Sequence, residues 1–209
     1  MVAITAQRAF LLRRGLHLEL LTVGWNVGEG VIAIAAGLAA GSPALIGFGV
    51  DSFVESISGT ALIWRLRAEL GGGEDAASLE RIERRAERIV GVAFLVLAAY
   101  VALEAVGALV GREEPDASPV GMALTAVSIA VMLWLARAKR RTGEALGSRA
   151  LIADSNQTYA CWYLSVTTLV GLALNAFVGL WWADPLAALG IALLLVREGI
   201  EAVRGEVDD

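Results

Sequence analysis

Long apolar blocks alternate with short polar breaks along this chain, and each block approaches the ~20 residues that a helix needs to cross ~30 Å of hydrocarbon. Six such blocks are read, at 18–40, 44–64, 89–111, 117–136, 156–178 and 185–203. Only Gly41-Ser42-Pro43 separates the first two. Pro119 suits the first turn of the fourth helix. Asp184-Pro185 predicts an N-cap followed by proline at the first helical position of the sixth. One sizeable polar insert opens with Gly71-Gly72-Gly73 and then repeats Leu79, Ile82, Ala86 and Ile89 at helical spacing. It predicts an amphipathic extension of helix three, with Glu80–Arg84 as an i,i+4 pair; a solvated helix end and a dimer contact are both open for it. The expected fold is an all-α integral membrane protein, a six-transmembrane-helix bundle over 17–205. A short segment 1–16 precedes it, 66–88 forms a cytoplasmic loop and extension, and no C-terminal domain is expected.

Composition strengthens the membrane reading. The 209 residues are 57% hydrophobic and 19% charged, with mean hydropathy +0.65. One cysteine rules out an intrachain disulfide framework. The first apolar stretch is too long for a removable signal peptide and lacks a clean cleavage site. A net charge of −5 and a pI near 5.0 argue against a nucleic-acid partner. Of the 17 Lys and Arg residues, all but Arg112 fall in the N-terminal tail, the 65–88 and 137–149 connections or the C-terminal end. By the positive-inside rule both termini are cytoplasmic, and Trp181 and Trp182 suit the opposite interface as aromatic anchors. The cell membrane is the expected location.

Against this background the ionisable residues within the spans carry the chemistry. An ionised side chain near the bilayer centre costs on the order of 2.5–3.5 kcal/mol even on the lenient insertion scale. The residues concerned are Glu29, Asp51, Glu55, Glu104 and Asp154. Asp51 and Glu55 are four apart and share a helical face. Two like charges so close need a cation between them or a proton on one, which is the arrangement of a divalent metal site that can alternatively hold protons. The bland alternative is two neutral carboxylic acids hydrogen-bonded within the bundle. In the fifth span, Asp154, Gln157 and Cys161 also fall on one face. Glu55 lies about 11 residues, roughly 16 Å, from the external end of helix two; with helix five entering the membrane near residue 150, Cys161 lies as far from its internal end, and since the two helices run in opposite directions both reach the midplane. Asp51, Glu55, Gln157 and Cys161 are therefore four candidate metal ligands, a carboxylate and thiolate set suited to Zn²⁺ and similar metals. For Cys161 a small buried hydrophobe, and for Gln157 an interhelical hydrogen bond, are equal alternatives. Glu19, Thr22, Asn26 and Glu29 form a polar stripe on the first span that either lines the approach, adds a ligand or bonds between helices. Glu104 stands alone on the third span as a proton acceptor or a polar partner. His17, at the membrane boundary, suits an interfacial role.

The stretch "GSPALIGFGVDSFVES" resembles the second transmembrane helix of cation diffusion facilitator transporters. "RALIADSNQTYACWYLSVTTLVGL" is similar to their fifth helix, and "WWADPLAALGIALLLVREGIEAV" to their sixth. The resemblance implies six helices, a homodimer, and export of Zn²⁺ or related divalent ions against protons. It implies metal binding at two acidic residues of helix two, matched by Asp51 and Glu55, and at a His-x-x-x-Asp pair of helix five. There Gln157 stands for the His and Cys161 for the Asp. Such proteins usually carry a cytoplasmic domain after helix six, so this chain resembles a short branch without one, its dimer held by transmembrane helices.

The expected function is a divalent cation efflux transporter, zinc-like, working by metal/proton antiport through alternating access. The alternative is a metal-binding membrane sensor or scaffold that moves nothing. An enzyme is not expected, since no His/Asp cluster, nucleophile with base or phosphate loop is visible. The expected partners are the metal ion as transported substrate, protons, the lipid bilayer and a second copy of the chain, with no organic cofactor.

Overall fold

A computed structural model describes residues 6–71, 76–112 and 116–204, with side chains described except at 76–90, 93, 97, 149, 198 and 202. The described residues form helices and the turns between them: α1 (Ala6–Ala40), α2 (Pro43–Gly71), α3 (Ala76–Gly111), α4 (Pro119–Leu146), α5 (Arg149–Val178) and α6 (Ala183–Arg204). Five of them, α1 to α5, are long and apolar enough to cross a membrane. α6 is helical as expected but misses the same measure. Asp184 at its start and Arg197, Glu198 and Glu201 in its last turns leave too short an uncharged stretch.

Most helices outrun their apolar blocks. α1 begins at Ala6 rather than 18, α2 runs on to Gly71, and α4 to Leu146. Backbone hydrogen bonding continues because a second, smaller core holds these ends together: Leu12 of α1, Leu62 and Leu66 of α2, Leu146 of α4 and Leu151 of α5. The α3 extension is helical from Ala76; its apolar stripe and the Glu80–Arg84 pair lie outside the described side chains.

Two tight turns set the antiparallel pairs α1/α2 and α4/α5 by the same device. Gly41 and Gly147 adopt the left-handed conformation at φ 64° and 67°, and the amide of the following serine donates back to Gly37 or Gly143 at 3.0 Å. This is the Schellman closure that a glycine after the last helical residue permits. Ser148 then caps α5 by accepting from the Leu151 amide at 3.4 Å. Ser118 caps α4 by accepting from the Gly121 amide at 3.1 Å, with Pro119 in the first turn as anticipated.

Asp184 does not cap its own helix. α6 already starts at Ala183, and the carboxylate reaches across to the start of α2. It accepts from the Ser42 hydroxyl at 2.7 Å and the Ala44 amide at 3.5 Å. The Ser42 hydroxyl and the Ala44 amide compete successfully for it, because α6 packs beside α2. α1 lies closest to α2, α3 to α6 and α4 to α5, with α2 also touching α3, α5 and α6. The main core fills the space between them with Phe48, Phe94, Val101, Leu164, Ile191 and Leu195 among others. α1 and α2 approach closely where Gly30 faces Gly49: a methyl group at Gly30 would sit 2.8 Å from the Gly49 carbonyl oxygen. Small residues at a helix crossing allow such an approach where apolar driving force between helices is weak.

Candidate functional site

α2 presents Asp51, Ser52, Glu55 and Ser56 to the bundle interior, all buried. The hydroxyls of Ser56 and Thr60 donate to the carbonyls four residues earlier, at 2.8 and 2.7 Å, so they need no partner from another helix. The carboxylates cannot satisfy themselves this way, and they draw in α1 and α5. Asp51 accepts from the Cys161 thiol, Sγ to Oδ2 at 2.9 Å. Glu55 accepts from the Thr158 hydroxyl at 2.8 Å on Oε1 and from the Asn26 amide at 2.8 Å on Oε2. One turn of α2 away, the Ser52 hydroxyl reaches Glu29 Oε2 at 3.0 Å. Asp51, Glu55, Asn26, Glu29 and Cys161 are thus brought into one interior patch where α1, α2 and α5 meet.

Thr158 also accepts a hydrogen bond from the Lys139 ammonium at 3.2 Å. Lys139 Nζ donates in addition to Asp154 and lies 3.1 Å from Glu19 Oε2. Lys139 and Glu19 are both 0% exposed, and Asp154 is buried beside them. A continuous line therefore runs from Glu19 and Asp154 through Lys139 and Thr158 to Glu55. Besides Asp184 at the α1–α2 turn, Glu19, Glu29, Asp51, Glu55 and Asp154 place five carboxyl groups in the interior, against Lys139 as the buried cation among the described residues. A surplus of carboxyl groups over cations, in a setting of low dielectric, favours protons or further cations in the same space.

Gln157 is half-buried and makes no hydrogen bond to either α2 carboxylate. Thr158, its neighbour, faces them instead. Glu104 lies on the exposed face of α3, away from the cluster. His17 is exposed, with Nδ1 2.7 Å from the Arg13 carbonyl oxygen. Among the described residues no three His, Cys, Asp or Glu side chains converge as ready ligands for one ion. Glu55 accepts one hydrogen bond on each oxygen, from Thr158 and Asn26, which leaves a lone pair on each for an ion.

Two participants escape a reading of the sequence. Lys139 sits in the basic run Arg137–Arg141 and counts there as a loop cation; the structure corrects this, since α4 carries it inside the bundle. The signal exists. Thr125, Ser128, Met132, Leu135, Lys139 and Thr142 recur in steps of three and four, and all are buried. Lys139 continues the inward stripe, while Arg137, Arg140 and Arg141 point outward. Thr158 is hidden for another reason: a hydroxyl in a helix ordinarily bonds its own backbone, and the Asp154 carbonyl oxygen, 3.1 Å away, is the competing acceptor for the single Thr158 proton.

The description "cation efflux transmembrane domain" matches residues 20–209. The chain belongs to the cation efflux family. It is 27% identical over 186 residues to an uncharacterized transporter of Synechocystis sp., covering 88% of this chain and 60% of that protein. It is 25% identical over 189 residues to the magnetosome protein MamB of Magnetospira sp., covering 88% of this chain and 64% of that one. The chain thus spans less than two thirds of these relatives. Membership makes it an integral, multi-pass membrane protein of a family that transports divalent metal cations.

Proposed function

We propose that this chain carries a divalent transition-metal ion of the zinc class across the cell membrane, binding it between α2 and α5 at Asp51 and Glu55 with Cys161 as the third ligand. The observation that supports this reading most directly is the contact of the Cys161 thiol with Asp51, one turn from a Glu55 held by α1 and α5. Carboxylate oxygens with a thiolate form a donor set for borderline divalent metals. Gln157, one residue from Thr158, is the fourth candidate, and Asp154, Glu29 and Asn26 are candidates for the pathway.

In this reading all six helices span the bilayer, α6 included, with both termini cytoplasmic. The ion enters from the basic end, where the α4–α5 turn lies. Either the metal or protons neutralise the two α2 carboxylates, so the site crosses between its two openings without bare charge in the bilayer. That alternation makes the cycle a metal/proton antiport. A second copy of the chain, docked through helices, completes the transporter.

The test is Zn²⁺ flux into proteoliposomes, with a pH-sensitive dye inside, for the unaltered chain and for Asp51→Ala. The reading expects Zn²⁺-driven proton movement that Asp51→Ala abolishes. Undiminished flux in the variant would overturn it. Zn²⁺ binding by the unaltered chain with no flux of either ion would make the chain a sensor or scaffold instead.

A further inference from the structure

Lys139 has no part in the reading above, yet its position is costly. Burying an ammonium in a bilayer-spanning bundle demands compensation, and a buried ion pair is weak evidence of added stability. Its surroundings are informative. The ammonium donates to two oxygens, Asp154 Oδ2 and Thr158 Oγ1 at 3.2 Å, and forms an ion pair with a third, Glu19 Oε2 at 3.1 Å. Two carboxylates face one ammonium, so one of them has no cation of its own. Both oxygens of Glu19 and Asp154 Oδ1 are buried without a hydrogen-bond partner, and so is Asn26 Oδ1. Asn26 lies seven residues after Glu19 on the same face of α1, and its amide already holds Glu55. Carboxylate and amide oxygens in surplus are what a divalent cation takes as ligands.

The placement along the bundle matters as well. Asp154 is seven residues before Cys161 on α5, about 10 Å nearer the α4–α5 turn. Lys139 therefore stands between the basic end and the Asp51–Glu55 pair, and touches that pair's neighbour Thr158. A lysine is a compact charge on a flexible four-carbon stem, able to withdraw by rotating that stem while its helix stays in place.

We infer that Glu19 and Asp154 form a transit subsite for the divalent cation, that Lys139 is its tethered resident occupant, and that an ion bound for Glu55 must first displace the Lys139 ammonium. This rests on the transport reading. The ion takes over the oxygens of Glu19 and Asp154, passes the oxygens of Asn26 and Thr158, and reaches Glu55. The returning ammonium then closes the path behind it. Lys139 is in this sense a positioning residue that meters entry by competition.

Equilibrium binding of Zn²⁺ alone to the purified full chain tests it. Asp51→Ala is expected to bind at least tenfold more weakly than the unaltered chain. Adding Lys139→Met, which keeps an unbranched side chain one atom shorter and without the charge, should restore at least tenfold tighter binding, because Glu19 and Asp154 are now free to retain the metal. Adding Glu19→Gln should abolish that gain. The inference is overturned if Asp51→Ala/Lys139→Met binds no tighter than Asp51→Ala, or if the gain survives Glu19→Gln. The transport reading fails separately, by Asp51→Ala binding and transporting like the unaltered chain. If Lys139→Met does not assemble, Glu19→Gln alone decides. Its KM for Zn²⁺ at the basic end should rise about tenfold with maximal rate within twofold, whereas an unchanged KM would refute the subsite.

Discussion

Replacing Thr158 with valine removes one oxygen and nearly nothing else, since the two side chains share their shape. The structure gives that oxygen two external roles. It donates to Glu55 Oε1 at 2.8 Å and accepts from Lys139 Nζ at 3.2 Å. Hydrogen bonds to charged groups contribute about 1.5–3 kcal/mol each. Both partners keep others: Glu55 retains Asn26, and Lys139 retains Asp154 and Glu19. The combined loss should therefore fall below the simple sum, at about 2–4 kcal/mol. For a chain of this size that corresponds to a fall in Tm of roughly 4–16 °C. The assay is thermal unfolding of the purified protein in one detergent, with Thr142→Val beside it. The Thr142 hydroxyl donates only to the Ala138 carbonyl of its own helix, at 2.8 Å, so its loss should cost well under about 1 kcal/mol. If Thr158→Val melted within a degree of the unaltered chain, or no lower than Thr142→Val, the hydrogen-bonded line from Lys139 to Glu55 would not exist in the folded protein.

Asp184→Ala should destabilise by about 1–3 kcal/mol, read in the same melts, because it strips the Ser42 hydroxyl of its buried acceptor and frees α6 from the α1–α2 turn. Gly30→Ala should cost about 1–3 kcal/mol, since its methyl group meets the Gly49 carbonyl oxygen at 2.8 Å and the Phe53 ring at 2.8 Å. Gly28→Ala, with open space around the new methyl, should be neutral or stabilising by up to about 1 kcal/mol, and equal effects at the two positions would refute the tight crossing. Cys161→Ala should weaken Zn²⁺ binding at least tenfold by calorimetric titration, and should also destabilise by about 1–3 kcal/mol because Asp51 loses the thiol donor; unaltered affinity would remove the thiol from the ligand set.

The candidate site was partly legible because helical geometry is local. Asp51 and Glu55 had to share a face, and depth counting from the span ends put Cys161 level with Glu55; the thiol and Asp51 do meet. The same counting could not choose between neighbours. Gln157 and Thr158 differ by about 100° around α5, and the rotation of α5 against α2, set by packing, turned Thr158 toward Glu55. Glu104 failed as an interior residue for the same reason, since a single charge in an apolar run carries no period to tell which way it faces.

By itself the sequence determined the membrane class, the helices and most of their turns, because hydropathy, glycine and proline act over a few residues. It also determined which residues share a face. Tertiary structure alone decided that Asp184 serves the start of α2 rather than its own helix. It also decided which partners Lys139 meets, Glu19 from α1 and Asp154 and Thr158 from α5. Both outcomes depend on carboxylates and donors far apart in the chain satisfying one another in a medium without water. That constraint acts only once the helices are packed.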